Sequence, residues 1–205
     1  MASDPKRLVA AGYDNIADAY LERFGASAVR KKWLDRLIGD LPLRGRVLDL
    51  GCGAGVPVAR DLAALGHVVI GVDGSAQQIS RARQNVPQAT FIEADMCGVT
   101  FEPDSFDAVG AFYSITHIPP TQQGPLVVNI ARWLKPRGKF VASFATGVRT
   151  EWTGEWLGTT MFFGHSSEAE TLSHLAEARL RVRNSAVEKQ DNEEAVFMWI
   201  EAIKA

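Results

Sequence analysis

Apolar positions in the first forty residues recur at helical spacing. Tyr13, Ile16, Ala17, Tyr20 and Phe24 mark one face, and Gly25 supplies a stop. Ser27 is placed to cap a second helix with Val29, Trp33, Leu37 and Leu41 on its apolar face, ended by Pro42. From Arg46 the rhythm changes to short apolar runs: Val47–Leu50, Val68–Val72, Thr90–Ala94, Phe106–Phe112 and Lys139–Phe144. Amphipathic stretches separate them at about Pro57–Leu65, Ser75–Val86 and Gln122–Leu134, and Ser75 with Gln78 has capping-box spacing. Near-continuous apolar strands separated by helices predict a parallel sheet covered on both faces. In the tail, Ser167 and Glu170 cap a helix carrying Leu172, Leu175 and Ala176. Two strands follow, Leu180–Val187 and Ala195–Ile203, joined by the polar turn Lys189–Glu194, a spacing that predicts an antiparallel hairpin.

A length of 205 residues gives one unit, 1–205, room for a full core and would cramp two. The formal net charge is −2 with no basic arm or stripe, which argues against a nucleic-acid partner. Cys52 and Cys97 are too few for a disulfide framework and lack the spacing of a zinc site, so reduced thiols in the cytoplasm and no metal are expected. No stretch approaches the roughly 20 apolar residues that span a bilayer, and Met1–Arg7 leads into a mixed segment unlike a signal peptide.

The first chemistry appears at 47–55, VLDLGCGAG, a strand running into a glycine turn and then a helix. Gly51, Gly53 and Gly55 let the backbone bend sharply and approach a ligand, although such a turn also serves plain helix–strand packing. Asp73 ends the second apolar run, 22 residues after Gly51, where a carboxylate can accept from both hydroxyls of a ribose. A dinucleotide fingerprint would need glycine at 56, where Val56 stands, and Asp49 beside the turn would repel a pyrophosphate. The pattern therefore asks for adenosine joined to a cationic tail.

Taken together, these segments resemble the class I S-adenosylmethionine-dependent methyltransferases of the compact bacterial small-molecule type, over nearly all of residues 13–203. VLDLGCGAG resembles the family's first motif, which holds the methionine end of the cofactor at Asp49, Gly51, Cys52, Gly53 and Gly55. VDGS, with Asp73, Gly74 and Ser75, resembles its ribose loop. EADM resembles the adenine site, formed by Ala94, Asp95 and Met96. SFDAVGAFYSITHI, residues 105–118, resembles the fourth strand and its loop, with Phe112 at the cofactor, and LKPRGKF resembles the turn before the fifth strand. The resemblance implies a Rossmann-like three-layer α/β sandwich. Its seven-stranded, mostly parallel sheet would end in an antiparallel C-terminal hairpin, with a helical cap over residues 1–41, a core over 46–205 and a substrate-side insertion at 147–166. It also implies S-adenosylmethionine as cofactor, S-adenosylhomocysteine as product and a cap helix that closes over the cofactor, bringing Tyr20 to it. One departure is Ala178-Arg179-Leu180, where the family often ends a helix with glycine.

Ligands of such a sheet lie beyond the carboxyl ends of the strands, where the strand order reverses. Tyr113, Ser114 and His117 follow the fourth run directly; His117 is a candidate general base or a structural histidine packed against Pro119 and Pro120. Glu151–His165 carries Trp152, Trp156, Phe162 and Phe163 among small residues without either periodicity, which suits a wall over an apolar acceptor, with core packing as the alternative. Tyr13 joins these as a candidate acceptor contact, and Cys52 is read as a space-filler rather than a nucleophile. The expected reaction is in-line transfer of a methyl group to an O, N or S atom of a small molecule. The alternatives are a non-catalytic cofactor-binding regulator, a nucleotide-dependent oxidoreductase and a macromolecule methyltransferase. FYSI in place of an Asn/Asp-Pro-Pro-aromatic motif argues against the last.

Overall fold

The computed structural model describes residues 4–205 apart from 149 and 192. Two helices open the chain, α1 (Pro5–Phe24) and α2 (Ala28–Ile38). An alternating stretch follows: β1 (Arg46–Leu50), α3 (Val58–Ala64), β2 (Val68–Asp73), α4 (Ala76–Asn85), β3 (Thr90–Glu93) and β4 (Phe106–Ala111). A short 3-10 turn, Ile115–His117, then leads to α5 (Pro120–Trp133) and β5 (Leu134–Ala145). The rest is β6 (Thr150–Trp156), β7 (Thr159–His165), α6 (Glu168–Glu177), β8 (Leu180–Lys189) and β9 (Val196–Lys204).

Seven strands make one sheet in the order β3-β2-β1-β4-β5-β9-β8. The first five are parallel, and β9 runs antiparallel to both β5 and β8, as the tail pattern predicts. The chain winds outward from β1 to β3 and then returns to place β4 on the other side of β1. That reversal opens a crevice beyond the carboxyl ends of β1 and β4. Strand alternation sends Leu48 and Leu50 to one core, with Ile130 of α5 and Leu175 of α6. Val47 points to the opposite core, with Trp33 of α2, Leu62 of α3 and Ile79 of α4. The layers are therefore helix, sheet, helix.

Several local expectations are corrected. α2 stops at Ile38, not at Pro42, because the Lys139 ammonium takes the carbonyls of Arg36 and Gly39 and Asp40 then turns at φ 66°. Leu41 falls outside the helix, and the buried face is Arg30, Trp33, Leu34 and Leu37. The Ser75 hydroxyl accepts from Gln78 N–H as a cap should, but the Ser75 N–H goes to Asp73, so the capping box is only half made. In α6 the box is complete, yet Leu172 and Ala176 face outward while Thr171 and Leu175 are buried. Arg179 takes φ 57° and makes without glycine the turn that the departure at 178–180 left open.

The largest surprise is the aromatic insertion. Far from aperiodic, it is a hairpin of its own, β6 against β7, pairing Trp152 with Phe163 and Thr153 with Phe162. Its turn is made at Leu157 and Gly158, both at positive φ. Gly154 lies so close to the Trp152 ring that a Cβ there would meet it at 2.2 Å. Glycines and threonines thus interrupt the apolar alternation that would have revealed the strands.

Candidate functional site

The glycine turn leaves β1 with Gly51, Gly53 and Gly55 all at positive φ, the left-handed region that costs other residues energy. The N–H groups of Gly51 and Cys52 both donate to the Val72 carbonyl. A Cβ on Gly51 would sit 2.2 Å from that of Ser114, whose hydroxyl donates to the Leu50 carbonyl. Gly55 packs against Phe91, Ala82 and Val86, so it closes helix on strand instead of facing a ligand.

Asp73 ends β2 and receives Gly53 N–H on Oδ2 and Ser75 N–H on Oδ1, each at 2.9 Å. Burial pushes its pKa up, with Asp14 adding to the rise, and the backbone N–H groups of Ser75, Gly53 and Gly74 pull the other way. The carboxylate itself lines the neighbouring cavity. Asp49 is 2% exposed and its Oδ2 has no partner. Burial raises its pKa to about 7, the charge of Asp73 adds to the rise, and Arg30 opposes it. The guanidinium of Arg30, only 5% exposed, donates to the Phe24 carbonyl at 2.9 Å and lies 5.3 Å from the Tyr113 ring centroid.

Around these groups is a cavity of about 480 Å³, inside the roughly 300–1,000 Å³ range of small-molecule sites. Of the sequence candidates it is lined by Tyr13, Tyr20, Gly51, Gly53, Asp73, Gly74, Ala94, Asp95, Met96, Phe112, Tyr113 and His117. A small side cavity of about 50 Å³ shares Tyr20, Gly51, Gly53, Gln78 and Phe112 with it and adds Asp49, Cys52 and Arg30. Gln78 Oε1 is also buried without a partner. Ser75, wholly buried, does not reach the cavity; its hydroxyl donates to Asp14 of α1.

α1 forms the roof. Lys6 sits on Asp95 Oδ2, while Cys97 N–H donates to Oδ1. Further along, Asp14 bonds Ser75 and Gln77 N–H, and Asp18 pairs with Arg81. The Tyr13 hydroxyl lies 2.8 Å from His117 Nε2, and His117 Nδ1 lies 2.8 Å from the Phe162 carbonyl. Burial lowers the His117 pKa to about 4, with the Phe162 carbonyl opposing and His165 adding to the fall. Both ring nitrogens are engaged, so the histidine offers the cavity no free lone pair. Tyr113 turns the chain after β4 at φ 58°, a strained backbone for a bulky residue. Its ring packs on Phe197 and Trp199.

Trp152, Trp156, Phe162 and Phe163 do not line the cavity; the hairpin braces its roof from behind. Trp156 touches the rings of Tyr13, Tyr20 and Phe24, and Phe163 lies 4.8 Å from His117. Trp152 is 48% exposed and rests on Phe163. Sequence reasoning missed Arg30, Lys6 and Gln78. The first left a signal: Arg30 stands three residues before Trp33 on the apolar face of α2, where a charge needs a reason.

Residues 47–138 match the family model described as a methyltransferase domain. The 27-O-demethylrifamycin SV methyltransferase of Amycolatopsis mediterranei is 32% identical over 150 residues, 62% of this chain and 54% of that protein. The ubiquinone biosynthesis O-methyltransferase of Rhodopseudomonas palustris is 31% identical over 156 residues, 69% and 60% of the two chains. The chain thus spans about half the length of the curated relatives it matches. In fold it is similar to the magnesium protoporphyrin IX methyltransferase of Synechocystis crystallised with S-adenosylhomocysteine. That likeness has a TM-score of 0.73 at 19% identity and covers 98% of this chain and 100% of that one.

Proposed function

We propose, on the premise that residues 47–138 form a methyltransferase domain, that this chain binds S-adenosylmethionine and transfers its methyl group to a small molecule. The observation that carries the proposal is one set of buried groups that fits the parts of this cofactor. Asp73 lines the cavity with its carboxylate held by backbone N–H groups, placed to accept from ribose hydroxyls. Asp49 Oδ2 and Gln78 Oε1 are buried acceptors without donors, and Arg30 is a buried cation beside them. An α-amino acid, with its ammonium towards the acceptors and its carboxylate towards Arg30, would satisfy all three. At the other end Asp95 suits the exocyclic amine of adenine, once Lys6 gives it up. A pyrophosphate would face Asp49 and Asp73 instead, which disfavours a nicotinamide cofactor.

When bound, S-adenosylmethionine supplies a methyl group activated by a sulfonium. The chain's own residues bind, align and exclude water. α1 roofs the cavity and the hairpin braces α1, which leaves room for a small acceptor and not for a polymer. The rifamycin and ubiquinone names of the two relatives agree with small acceptors. We read residues 1–205 as one working unit, with the substrate-side insertion acting as a brace. No helix among the described residues is long and apolar enough to cross a membrane. Free thiols at Cys52 and Cys97 fit a reducing compartment such as the cytoplasm.

Calorimetric titration with S-adenosylhomocysteine and with NAD⁺ tests the proposal. Saturable binding of the first and none of the second is expected. The reverse would replace methyl transfer with redox chemistry.

A further inference from the structure

We propose that Tyr13 is the residue that meets the acceptor's reacting group, and that His117 stands behind it as the fixed recipient of its proton. This rests on the methyl-transfer function above and adds the chemistry of the acceptor: an uncharged group that still carries its proton, a hydroxyl or an N–H.

Hydrogen-bond roles fix the direction of the pair. The Phe162 carbonyl can only accept, so His117 Nδ1 carries a hydrogen. Burial keeps the ring neutral, with its pKa at about 4, so Nε2 is a lone pair. The Tyr13 hydroxyl, 2.8 Å away, must then donate to Nε2. What Tyr13 has left for the cavity is the lone pairs of its own oxygen. An acceptor bearing O–H or N–H can donate to that oxygen, whereas an anion would be repelled by it.

Tyr13 and His117 bond to each other and to the Phe162 carbonyl, and not to a carboxylate. Of the cavity's carboxylates, Asp73 ends β2 and Asp95 follows β3, and they are held by backbone N–H groups and, at Asp95, by Lys6. Glu93 and Asp4 line the same cavity, Glu93 at the end of β3 and Asp4 at the start of α1. His117 follows β4, across β1 from β2 and β3. Its titratable neighbour on β7 is His165, which offers no negative charge. Tyr13 itself does not supply a tyrosinate, because burial pushes its pKa well above the ordinary 10. Its proton therefore moves only as another arrives.

The step balances as follows for a hydroxyl acceptor. The oxygen's electron pair forms the bond to the methyl carbon, and the carbon–sulfur bond breaks with its pair left on sulfur, now a neutral thioether. The acceptor's proton passes to the Tyr13 oxygen and the Tyr13 proton to His117 Nε2. The charge lost at sulfur reappears on the imidazolium, so the site keeps its net charge. The Phe162 carbonyl and the ring face of Phe163 hold that cation until the proton returns by the same path to solvent.

The first arm of the test needs no acceptor. In ¹⁵N NMR of the chain saturated with S-adenosylhomocysteine, His117 should be protonated at Nδ1 and bare at Nε2 from about pH 6 to 8. Tyr13→Phe should shift the Nε2 resonance. A proton on Nε2, or a charged ring at neutral pH, overturns the relay. The second arm follows S-adenosylhomocysteine release from S-adenosylmethionine with small phenols, anilines and thiophenols as probes. Hydroxyl or amine probes should turn over, and Tyr13→Phe and His117→Gln should each lower kcat by about 10²–10⁴. S-adenosylhomocysteine affinity should stay unchanged in both variants. The wild-type rate in mixed light and heavy water should fall along a curve, since two protons move together. Full kcat in Tyr13→Phe, a straight-line dependence, or turnover of thiols alone would each refute the proposal, as would no turnover of any hydroxyl or amine by a chain that binds S-adenosylhomocysteine. Failure of the wild-type chain to bind S-adenosylhomocysteine would sink the methyl-transfer function itself, a distinct result.

Discussion

At the scale of single residues, the account stands on a few buried charges whose partners are missing or shared. Asp73→Ala should weaken S-adenosylhomocysteine binding about 10–100-fold, since hydrogen bonds to a charged acceptor contribute about 1.5–3 kcal/mol. Wild-type affinity in the folded variant, measured by calorimetry, would remove it from the site. Arg30→Met should weaken S-adenosylhomocysteine yet leave 5′-methylthioadenosine, which lacks the amino-acid tail, unaffected; equal losses for both would deny Arg30 its carboxylate. Asp49 gives a pH signature. Its folded pKa of about 7 lies above the ordinary 3.8, so the folded chain holds a proton that the unfolded chain has released. Its contribution to stability is therefore complete below about pH 4 and lost as pH rises to 7. A cationic ligand end lowers that pKa, so binding below pH 7 should release a proton. Titrations in buffers of different ionisation heat would detect the release in wild type and its absence in Asp49→Asn. Of these residues the sequence showed Asp49 and Asp73 through their places at the carboxyl ends of the first two strands. It did not show that His117 has both nitrogens filled, because its partners come from residues 13 and 162, far apart in the chain.

At the scale of elements, α1 and the β6–β7 hairpin act together. Met161 lies so close to Gly12 that a Cβ there would meet its Cε at 2.8 Å, and Trp156 wedges between Tyr13, Tyr20 and Phe24. Trp156→Ala should therefore loosen α1: faster amide exchange over residues 5–24, with S-adenosylhomocysteine bound several-fold more weakly. Trp152→Ala, on the open face, should change neither. Equal effects of the two would mean that the hairpin contacts the acceptor directly and not through the roof. The alternating strands and helices of the core were legible because the central strands β1 and β4 are buried almost throughout and Ser75 caps α4. The hairpin was not, because Gly154, Thr153 and Thr160 break its alternation and its partner surface is a helix 140 residues earlier. The end of α2 was missed for a similar reason, since the side chain that satisfies it, Lys139, belongs to β5.

At the scale of the whole molecule, the strand order decides where chemistry happens. Reversal at β1 and β4 gathers the glycine turn, Asp73 and His117 at one edge, and α1 closes that edge into a cavity. That placement followed from the sequence, since a parallel sheet with a glycine turn after its first strand has one ligand edge. The identity of the acceptor did not, because it depends on how residues from α1, the β4 loop and the hairpin meet. The most direct measurement supplies S-adenosylmethionine labelled at the methyl carbon together with a cell extract, then separates the products by size. Label should leave the cofactor and appear in the small-molecule fraction, and Asp73→Ala should abolish most of the transfer. Cofactor bound by the chain with no label moved would make it a binding regulator, and label found on protein or nucleic acid would contradict the small-molecule site.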